Sequence, residues 1–363
     1  MGYVAVEAGE EVIERAEQLF EKRRTEGESD PVSIDQIDEQ FGRLVGQVMN
    51  EGGLYAPKLA ARALKQAQGD TVEASFLLRA YRSTLERWDD SVPVSSDEMF
   101  ATRRVSPAYK DVPGGQILGA TKDYTQRLLD FDLDGGDDPT ADWDLEEAEP
   151  ESLRNVLEIL REEGLLAEPS AEDDGEDYDT TREPLVYPAP RSAILQELAR
   201  GETGAITALG YSTLRGYGSV HPTLGEVRVG SLPVQIEHPY TGDPVEVTSV
   251  EVSECESVVP EYEKRDDAQF SFGYGLVFGR NERKVIGMSI LDASTQLEGN
   301  EPVHDTEFVC QIVDGVDSFG FIEHLKLPHY VTFQSTLDRI RAIRERTADG
   351  GDSPATTEVS GDD

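Results

Sequence analysis

Residues 270–293 have the sequence FSFGYGLVFGRNERKVIGMSILDA, and this stretch decides the predicted fold. Its first part alternates between apolar and small side chains, which is the period of a β-strand with one apolar and one nearly bare face. Glycine on the bare face permits close approach by another backbone or by a ligand. Gly279 ends the strand, and Asn281 can cap a helix with apolar residues on one side. The stretch therefore predicts a strand followed directly by a helix.

Three basic residues, Arg280, Arg283 and Lys284, stand in or beside the first turn of that helix. Each solvated cation at this end interacts unfavourably with the helix dipole, at a free-energy cost of roughly 0.3–1 kcal/mol. Their presence in an acidic chain indicates either a bound phosphate, which helix N-termini favour, or ion pairs with neighbouring carboxylates. The pattern leaves both explanations open.

The rest of the chain extends this prediction to a fold of the α+β class. Up to about residue 90 the apolar residues repeat with the period of helices, with a capping box at Ser33 and another cap at Asp70. Residues 226–252 alternate as β-hairpins do. We predict a helical N-terminal unit followed by a mixed α/β C-terminal domain with mainly antiparallel strands.

Composition divides the chain into four predicted parts, since residues 132–182 are rich in Asp, Glu, Pro and Gly. The parts are a mainly helical domain (1–131), an acidic linker with one short helix (132–183), an α+β domain (184–347) and a disordered acidic tail (348–363).

Local patterns within these parts give further expectations. We expect a short strand at residues 3–6 and a helix through residues 124–131. The helix after Asp70 is expected to bury Phe76, Leu77, Ala80, Tyr81 and Trp88. The last helix is expected to turn Phe333, Leu337, Ile340 and Ile343 inward.

The charge of the chain limits its environment and partners. Acidic residues number 73 against 33 lysines and arginines, for a formal net charge of −40. Because the excess runs along the whole chain, it predicts a protein adapted to high salt, from a halophilic source. The same charge argues against nucleic acid or an anionic membrane as a partner. The two cysteines have no metal-site spacing, and there is neither a signal-peptide pattern nor a long apolar run, so we expect a cytoplasmic protein.

Two of the five histidines, His324 and His329, lie in the sequence HLKLPHY. Neither a helix nor a strand would point both rings at one place with this spacing. Pro328 disfavours a helical residue before it, so a bend there would bring the two imidazoles together. Such a pair suits Zn²⁺, although two ligands do not complete a site and a pair of core histidines remains the alternative.

Two glycine-containing segments are candidate binding loops. Residues 110–116 (KDVPGGQ) place a tight turn between Lys110 and Arg127, where backbone N–H groups could hold a phosphate, although an ordinary turn explains the pattern as well. Residues 211–222 mix Arg, Tyr, Gly and His without a regular period, as binding loops do. A Ser219–His221 hydrolase lacks the G-x-S-x-G elbow and is set aside.

Several stretches, in their order along the chain, resemble the PhnI family, the I subunit of the carbon–phosphorus (C–P) lyase core complex. They are ALKQA (63–67), FLLRAYR (76–82), YKD with PGGQ (109–116), RLLDF (127–131), RGYG with HP (215–222), the strand and helix start at 273–284, and HLKLPHY (324–330). The resemblance covers almost the whole chain. The acidic stretch 132–182, the tail and the overall acidity depart from it.

The resemblance implies α-D-ribose 1-methylphosphonate 5-triphosphate synthase activity. With the G, H and L subunits, such a chain joins an alkylphosphonate to C1′ of ATP and expels adenine. Alone it is similar to a purine nucleoside triphosphate N-ribohydrolase, and a non-catalytic scaffold is a third alternative. The resemblance also implies a core complex with G, H and J, in which His324 and His329 bind Zn²⁺ near the interface with J.

This reaction would need cations for the phosphates, a ring to stack on the base, an acid for the purine and a carboxylate near C1′. The cationic candidates are Lys110, Arg127, Arg215, Arg283 and Lys284. The stacking candidates are Tyr217 and Tyr274. His221 is the candidate acid, and Glu226, Glu254 and Glu256 are the candidate carboxylates. Nothing in the spacing selects among the acids.

Overall fold

The computed structural model describes residues 9–131, 133, 153–167, 178–217, 221–262 and 268–348. Within these ranges the chain combines α-helices with one antiparallel sheet, so the predicted α+β class is confirmed. The helices are α1 (Glu10–Arg24), α2 (Ile34–Gln40), α3 (Gly42–Gly52), α4 (Pro57–Gln66), α5 (Thr71–Arg82), α6 (Val156–Glu162), α7 (Arg191–Arg200), α8 (Thr203–Ser212), α9 (Glu282–Thr295), α10 (Thr306–Val313), α11 (Gly315–His324) and α12 (Tyr330–Ala348). The strands are β1 (Phe100–Val105), β2 (Thr223–Glu237), β3 (Pro244–Glu261) and β4 (Gln269–Phe278).

The sheet has the order β1-β2-β3-β4, and every neighbouring pair is antiparallel. Strands β2 and β3 form a long hairpin whose register runs from Thr223↔Val258 to Glu237↔Pro244, which confirms the predicted hairpin. The first strand, β1, was not predicted, because its sequence FATRRV carries two arginines and no clear alternation.

Residues 270–293 form β4 and α9 as predicted, and the side chain of Asn281 accepts a hydrogen bond from the backbone N–H of Lys284. Helix α9 lies directly on the bare face of β4. A Cβ added at Gly275 would stand 2.7 Å from the carbonyl oxygen of Val285, and one at Gly273 would collide with the carbonyl oxygen of Ser289. The bare face therefore receives the backbone of α9.

The main hydrophobic core lies between this face of the sheet and helices α7 to α10. Its fully buried members include Leu198, Ile206, Val285, Leu291 and Val309. At about 25 cal/mol per Å² of buried apolar surface, each such side chain contributes roughly 1.5–3 kcal/mol. This core holds α9 in place, and so it also sets the position of the N-terminus of α9.

Helices α2 to α5 form a second core, with both predicted caps present. Ser33 and Gln36 exchange side-chain and backbone hydrogen bonds, and Asp70 accepts from the N–H groups of the first turn of α5. The helix that begins after the cap at Ser33 breaks at Phe41, which divides it into α2 and α3. Asn50 ties this unit to the sheet, because its side chain donates to and accepts from the backbone of Phe278.

Two local predictions in this part of the chain are wrong. Residues 124–131 do not form a helix, since their apolar side chains find no surface to cover: Leu128 and Leu129 stay 79% and 83% exposed. In α5 the buried residues are Ala74, Ser75 and Leu78, whereas Trp88 lies beyond the helix and is 92% exposed.

Contacts between Cα atoms divide the chain into two units, residues 27–318 and residues 1–26 with 319–363. The predicted boundaries at 131, 183 and 347 stay predictions. The strand predicted at residues 3–6, most of the acidic linker and the tail lie outside the described residues.

The last helix forms as predicted, but the expectation that its apolar residues turn inward is wrong for this chain by itself. Helix α12 has no buried residue, and Phe333 is 61% exposed. A helical period identifies an apolar face but not the surface that covers it. None of the helices in the described ranges has both the length and the apolar character needed to cross a membrane.

Candidate functional site

A cavity of about 1110 Å³ opens beside the N-terminus of α9, between the start of α3, strands β1 and β2, and the segment around Asp123. We call it the arginine cavity. The arginines that line it are Arg43, Arg103, Arg127, Arg280 and Arg283. The acidic residues that line it are Asp123, Glu251 and Glu282.

These arginines fall into two groups: Arg103 and Arg280 are buried or partly buried, and the other three are exposed. Arg103 is 6% exposed and fully engaged, because it binds Glu282, Asp123 and the carbonyl oxygen of Leu118. Arg280 pairs with Glu282 through Nε at 3.4 Å, while its Nη2 is buried without a hydrogen-bond partner in the described part of the chain.

Arg43 and Arg283 belong to the second group: both are exposed, and neither forms an ion pair with any described residue. Arg127 lies with them and forms an ion pair with Asp123 at 3.3 Å. The guanidinium groups of Arg43 and Arg283 can therefore bind an anion, next to the helix N-terminus that favours negative charge, and Arg127 can join them through donors that do not contact Asp123.

Lys284, the third basic residue of the α9 start, points away from this cavity. It is fully buried, and its Nζ donates a 2.7 Å hydrogen bond to the carbonyl oxygen of Ala199. Burial lowers the pKa of Lys284 to about 8, against the opposing effect of the carboxylate of Glu51. The structure therefore brings Arg280 and Arg283 to one cavity and places Lys284 in the core.

The opposite face of the sheet from α9 carries a buried layer of charged residues, which we call the charge layer. It consists of Arg104, Glu226, Arg228, Glu254 and Glu256, each at most 1% exposed. Arg104 pairs with Glu226 at 2.5 Å, and Arg228 pairs with Glu254 at 2.5 Å.

The segment that leads into α6 covers the charge layer with its backbone. The N–H groups of Val156 and Leu157 donate to Glu226 and Glu256, at 3.0 and 3.1 Å. Arg228 donates to the carbonyl oxygen of Leu153 at 3.1 Å. Every charged group of the layer thus has partners within the chain, and none lines the arginine cavity.

Glu256 differs from the other carboxylates because it has no arginine of its own. Burial, followed by the nearby carboxylates of Glu254 and Glu226, raises the pKa of Glu256 well above its usual range. Tyr274, half-buried, donates a 2.7 Å hydrogen bond to Glu254. Its pKa is also raised, first by burial and then by Glu254.

The other candidates from the sequence are dispersed over the surface. Lys110, Arg215, Tyr217 and His221 are all exposed, and none of them lines the arginine cavity. Tyr217 ends a π-helical turn, Thr213–Tyr217, that continues α8. Ser219 lies outside the described residues. The roles assigned to these residues stay predictions.

Two arginines of the cavity, Arg43 and Arg103, were missed by the sequence reasoning. One signal was available: Arg103 and Arg104 stand side by side in a chain with a large acidic excess. Neighbouring residues of a strand point to opposite faces, so this pair serves both sites, Arg103 in the arginine cavity and Arg104 in the charge layer.

His324 and His329 come together at the bend that Pro328 was expected to make. Helix α11 ends at His324 and α12 begins at Tyr330, and the two ring centres are 5.2 Å apart. In each ring Nδ1 contacts a backbone carbonyl oxygen, that of Phe321 for His324 and that of Leu327 for His329. Because a carbonyl oxygen only accepts, Nδ1 is the donor in each contact, and a ring that carries its single proton there has a lone pair on Nε2.

The architecture is that of a mixed α+β protein with an arginine-lined cavity at a helix N-terminus and a pair of histidines whose rings lie 5.2 Å apart. Comparison with known proteins identifies the family of the chain. The family described as "Bacterial phosphonate metabolism protein (PhnI)" matches residues 2–347. The chain belongs to the PhnI family.

Three curated relatives agree with this assignment. A protein named "Putative C-P lyase subunit protein HtxH" from Stutzerimonas stutzeri is 46% identical over 95% of this chain and 97% of its own length. Proteins named "Alpha-D-ribose 1-methylphosphonate 5-triphosphate synthase subunit PhnI" are 45% identical in Rhizobium meliloti (94% of this chain, 95% of the relative) and 44% identical in Escherichia coli (96% and 100%).

Proposed function

We propose that this chain acts in phosphonate catabolism, in a complex that joins an alkylphosphonate such as methylphosphonate to C1′ of ATP and displaces adenine. The product is a ribose 1-phosphonate 5-triphosphate. Family membership supports the proposal, since two relatives carry the name of this synthase. On this proposal G, H and L are the partner subunits of the transferase step, and G, H and J form the core complex with this chain.

The arginine cavity is the observation that carries the proposal. Its volume of about 1110 Å³ accommodates a nucleotide. Arg43, Arg127 and Arg283 offer planar donors that suit phosphate oxygens, and the first turn of α9 adds backbone N–H groups. We assign the triphosphate of ATP to this end of the cavity.

Departure of adenine from C1′ develops positive charge on the ribose, as glycoside cleavage does, and a nearby carboxylate would stabilise it. Glu251 and Glu282 line the arginine cavity. Glu226 and Glu256 could reach a substrate only if residues 153–157, which cover the charge layer, moved away from it. We therefore favour Glu251 or Glu282 for this role over the three carboxylates first predicted, Glu226, Glu254 and Glu256, which are buried in the charge layer.

The histidine pair fits Zn²⁺ as a partial site. Two Zn–N bonds of about 2.0–2.1 Å at a tetrahedral angle place the ring centres about 5 Å apart, close to the 5.2 Å between His324 and His329. The Nδ1–carbonyl contacts orient both rings, as such contacts do for metal-binding histidines. Bound Zn²⁺ would supply a Lewis acid for an anion.

The histidine pair does not complete a zinc site by itself. No group of three or more His, Cys, Asp or Glu side chains with metal-site geometry occurs among the described residues. On this proposal the remaining ligands come from another subunit, from solvent or from substrate.

Activity of the assembled complex tests the main proposal. We would supply ATP and methylphosphonate, measure adenine by chromatography and follow the phosphonate product by ³¹P NMR. Arg43→Gln and Arg283→Gln should each lower kcat/KM for ATP about tenfold or more, since each removes a charge-assisted contact to phosphate. The matched control is Arg62→Gln on the exposed face of α4, which should leave kcat/KM unchanged.

The alternatives give different results in the same assay. Adenine released by the isolated chain without phosphonate would indicate a stand-alone N-ribohydrolase. Full turnover in both cavity variants, with the complex still assembled, would instead indicate a non-catalytic scaffold.

The excess of acidic residues supports a second proposal, that the protein is adapted to high salt. A net charge of −40 repels itself, and molar KCl screens this repulsion. Circular dichroism should show loss of helix in dilute buffer and recovery in molar KCl. A spectrum that is the same in both would refute the halophilic assignment.

A further inference from the structure

A second cavity, of about 400 Å³, lies beside the outer edge of β4, and we call it the edge cavity. It is lined by the ends of α3 and α5, by α7, and by residues of β4 and α9. It shares no lining residue with the arginine cavity. Its volume is that of a site for a small molecule of one ring or a short chain.

One side of the edge cavity is apolar and the other is cationic. Leu195, Leu276 and Met288 are among the apolar lining residues, whereas Arg82 and Arg200 supply the charge. The two arginines converge beside Gly53. A Cβ added to this glycine would collide with Nη1 of Arg82 and would lie 3.8 Å from Cδ of Arg200.

Hydrogen bonds with the described residues do not use all the N–H donors of the two arginines. Arg82 forms no ion pair with any described residue, and its Nη1 donates to the carbonyl oxygens of Gly52 and Gly53 at 3.3 and 3.2 Å. Nη1 of Arg200 binds Glu197 and Thr180. Its Nε is buried without a hydrogen-bond partner in the described part of the chain.

The arginines also repel each other. Burial, together with the positive charges of Arg200 and Arg79, lowers the pKa of Arg82. Two acids offset only part of this effect: Glu197 pairs with Arg200 itself, and Asp179 pairs with Arg87. An anion bound between Arg82 and Arg200 would relieve this repulsion.

We infer that the edge cavity binds a small organic anion, with one phosphonate, phosphate or carboxylate group at Arg82 and Arg200 and an apolar body against Leu195, Leu276 and Met288. The planar guanidinium groups suit the oxygens of such a group. The apolar wall distinguishes an organic anion from an inorganic one, because inorganic phosphate would leave that wall uncovered. This site is separate from the arginine cavity and does not depend on the proposed synthase activity.

Calorimetric titration of the full chain at one fixed KCl concentration tests this inference. Phenylphosphonate is the probe, and benzoate, inorganic phosphate and neutral benzyl alcohol are its comparisons. Phenylphosphonate should bind at least about tenfold more tightly than inorganic phosphate and than benzyl alcohol, since each comparison lacks one half of the recognition. Benzoate reports whether the cationic end accepts a carboxylate as well as a phosphonate.

Variants locate the site. Arg200→Gln should weaken phenylphosphonate about tenfold, and Arg82→Lys should weaken it less, because it keeps the charge but loses the planar donors. Ala199→Met should also weaken it, since it fills the cavity and leaves both arginines in place. Arg62→Gln is the matched control, and circular dichroism checks that each variant is folded.

Three outcomes would overturn the inference. One is unchanged affinity in Arg200→Gln and Ala199→Met. Another is equal affinity for inorganic phosphate, which would show anion attraction without a built site. The third is loss of binding in Arg43→Gln but not in Arg200→Gln, which would place the probe in the arginine cavity.

Discussion

The charge layer of the sheet and the C-terminal residues 319–348 differ in which groups they bury and which they expose. In the layer, even charged side chains such as Arg104 and Glu226 are fully buried, and each has a partner in the same chain. In the C-terminal residues, apolar side chains such as Phe333 are exposed, as is His329, and His324 is partly exposed. The charge layer is therefore a closed region, whose groups find their partners within this chain. Residues 319–348 are an open region, whose groups are accessible to other molecules.

The largest expected effect follows from breaking the charge layer. Arg104→Met removes the closer guanidinium partner of the buried Glu226 and leaves it only Arg228, at 3.8 Å. Removal of one member of a buried pair costs about 3–5 kcal/mol. Chemical denaturation in high salt should show a loss of this size in the free energy of unfolding.

A double variant provides the control for this experiment. Arg104→Met with Glu226→Leu removes both charges, so it should recover part of the loss. A single variant as stable as the wild type would contradict the description of the layer as a closed network.

The histidine pair is expected to give the next largest effect, and it belongs to the open region. His324→Ala or His329→Ala should strip Zn²⁺ from the assembled complex, with an affinity loss of about 100-fold, while the unfolding of this chain stays the same. Metal analysis of the purified complex measures this, with His238→Ala in the hairpin turn as the matched control. Unchanged metal content would remove the zinc assignment.

The stability of the closed region is expected to depend on pH through Glu256. The raised pKa of Glu256 means that the folded chain holds this proton more firmly than the unfolded chain, in which Glu titrates near ~4.3. The stabilisation is therefore complete below that pH and is lost as the pH rises through the folded pKa.

Glu256→Gln removes this titration. The free energy of unfolding should then fall less for the variant than for the wild type between about pH 5 and pH 8. Glu246→Gln, at an exposed position of β3, is the control and should follow the wild type. Parallel curves for Glu256→Gln and wild type would contradict the prediction.

The smallest expected effect is in the open region itself. Phe333→Ser should change the free energy of unfolding of the isolated chain by no more than about 0.5 kcal/mol, because the side chain is already exposed. Leu198→Ala in the buried core should cost about 2–5 kcal/mol by comparison. If Phe333→Ser destabilised the isolated chain as strongly as Leu198→Ala, the two regions would not differ as described.

Sequence periodicity predicted elements that depend on neighbouring residues. The strand β4, the cap at Asn281 and the capping box at Ser33 all involve contacts within a few residues, and each formed as expected. The helix predicted at residues 124–131 failed because an apolar period needs a surface to cover, and such a surface is set by the tertiary fold.

The site was harder to predict because its residues meet over long sequence distances. Arg43 from α3, Arg127 and Arg283 share a cavity only after α9 has packed on the sheet. Lys284 and Arg283 look alike in the sequence, yet one is in the core and the other in the cavity, because adjacent residues of a helix point in different directions.

The close approach of α9 to the two glycines of β4 has a consequence for ligand binding. The same helix lines the arginine cavity with Ile286 and the edge cavity with Met288. A ligand that displaced α9 in one cavity would alter the walls of the other. Thermodynamic linkage then requires reciprocity: if an anion in the edge cavity changes the affinity for ATP by some factor, ATP changes the affinity for that anion by the same factor.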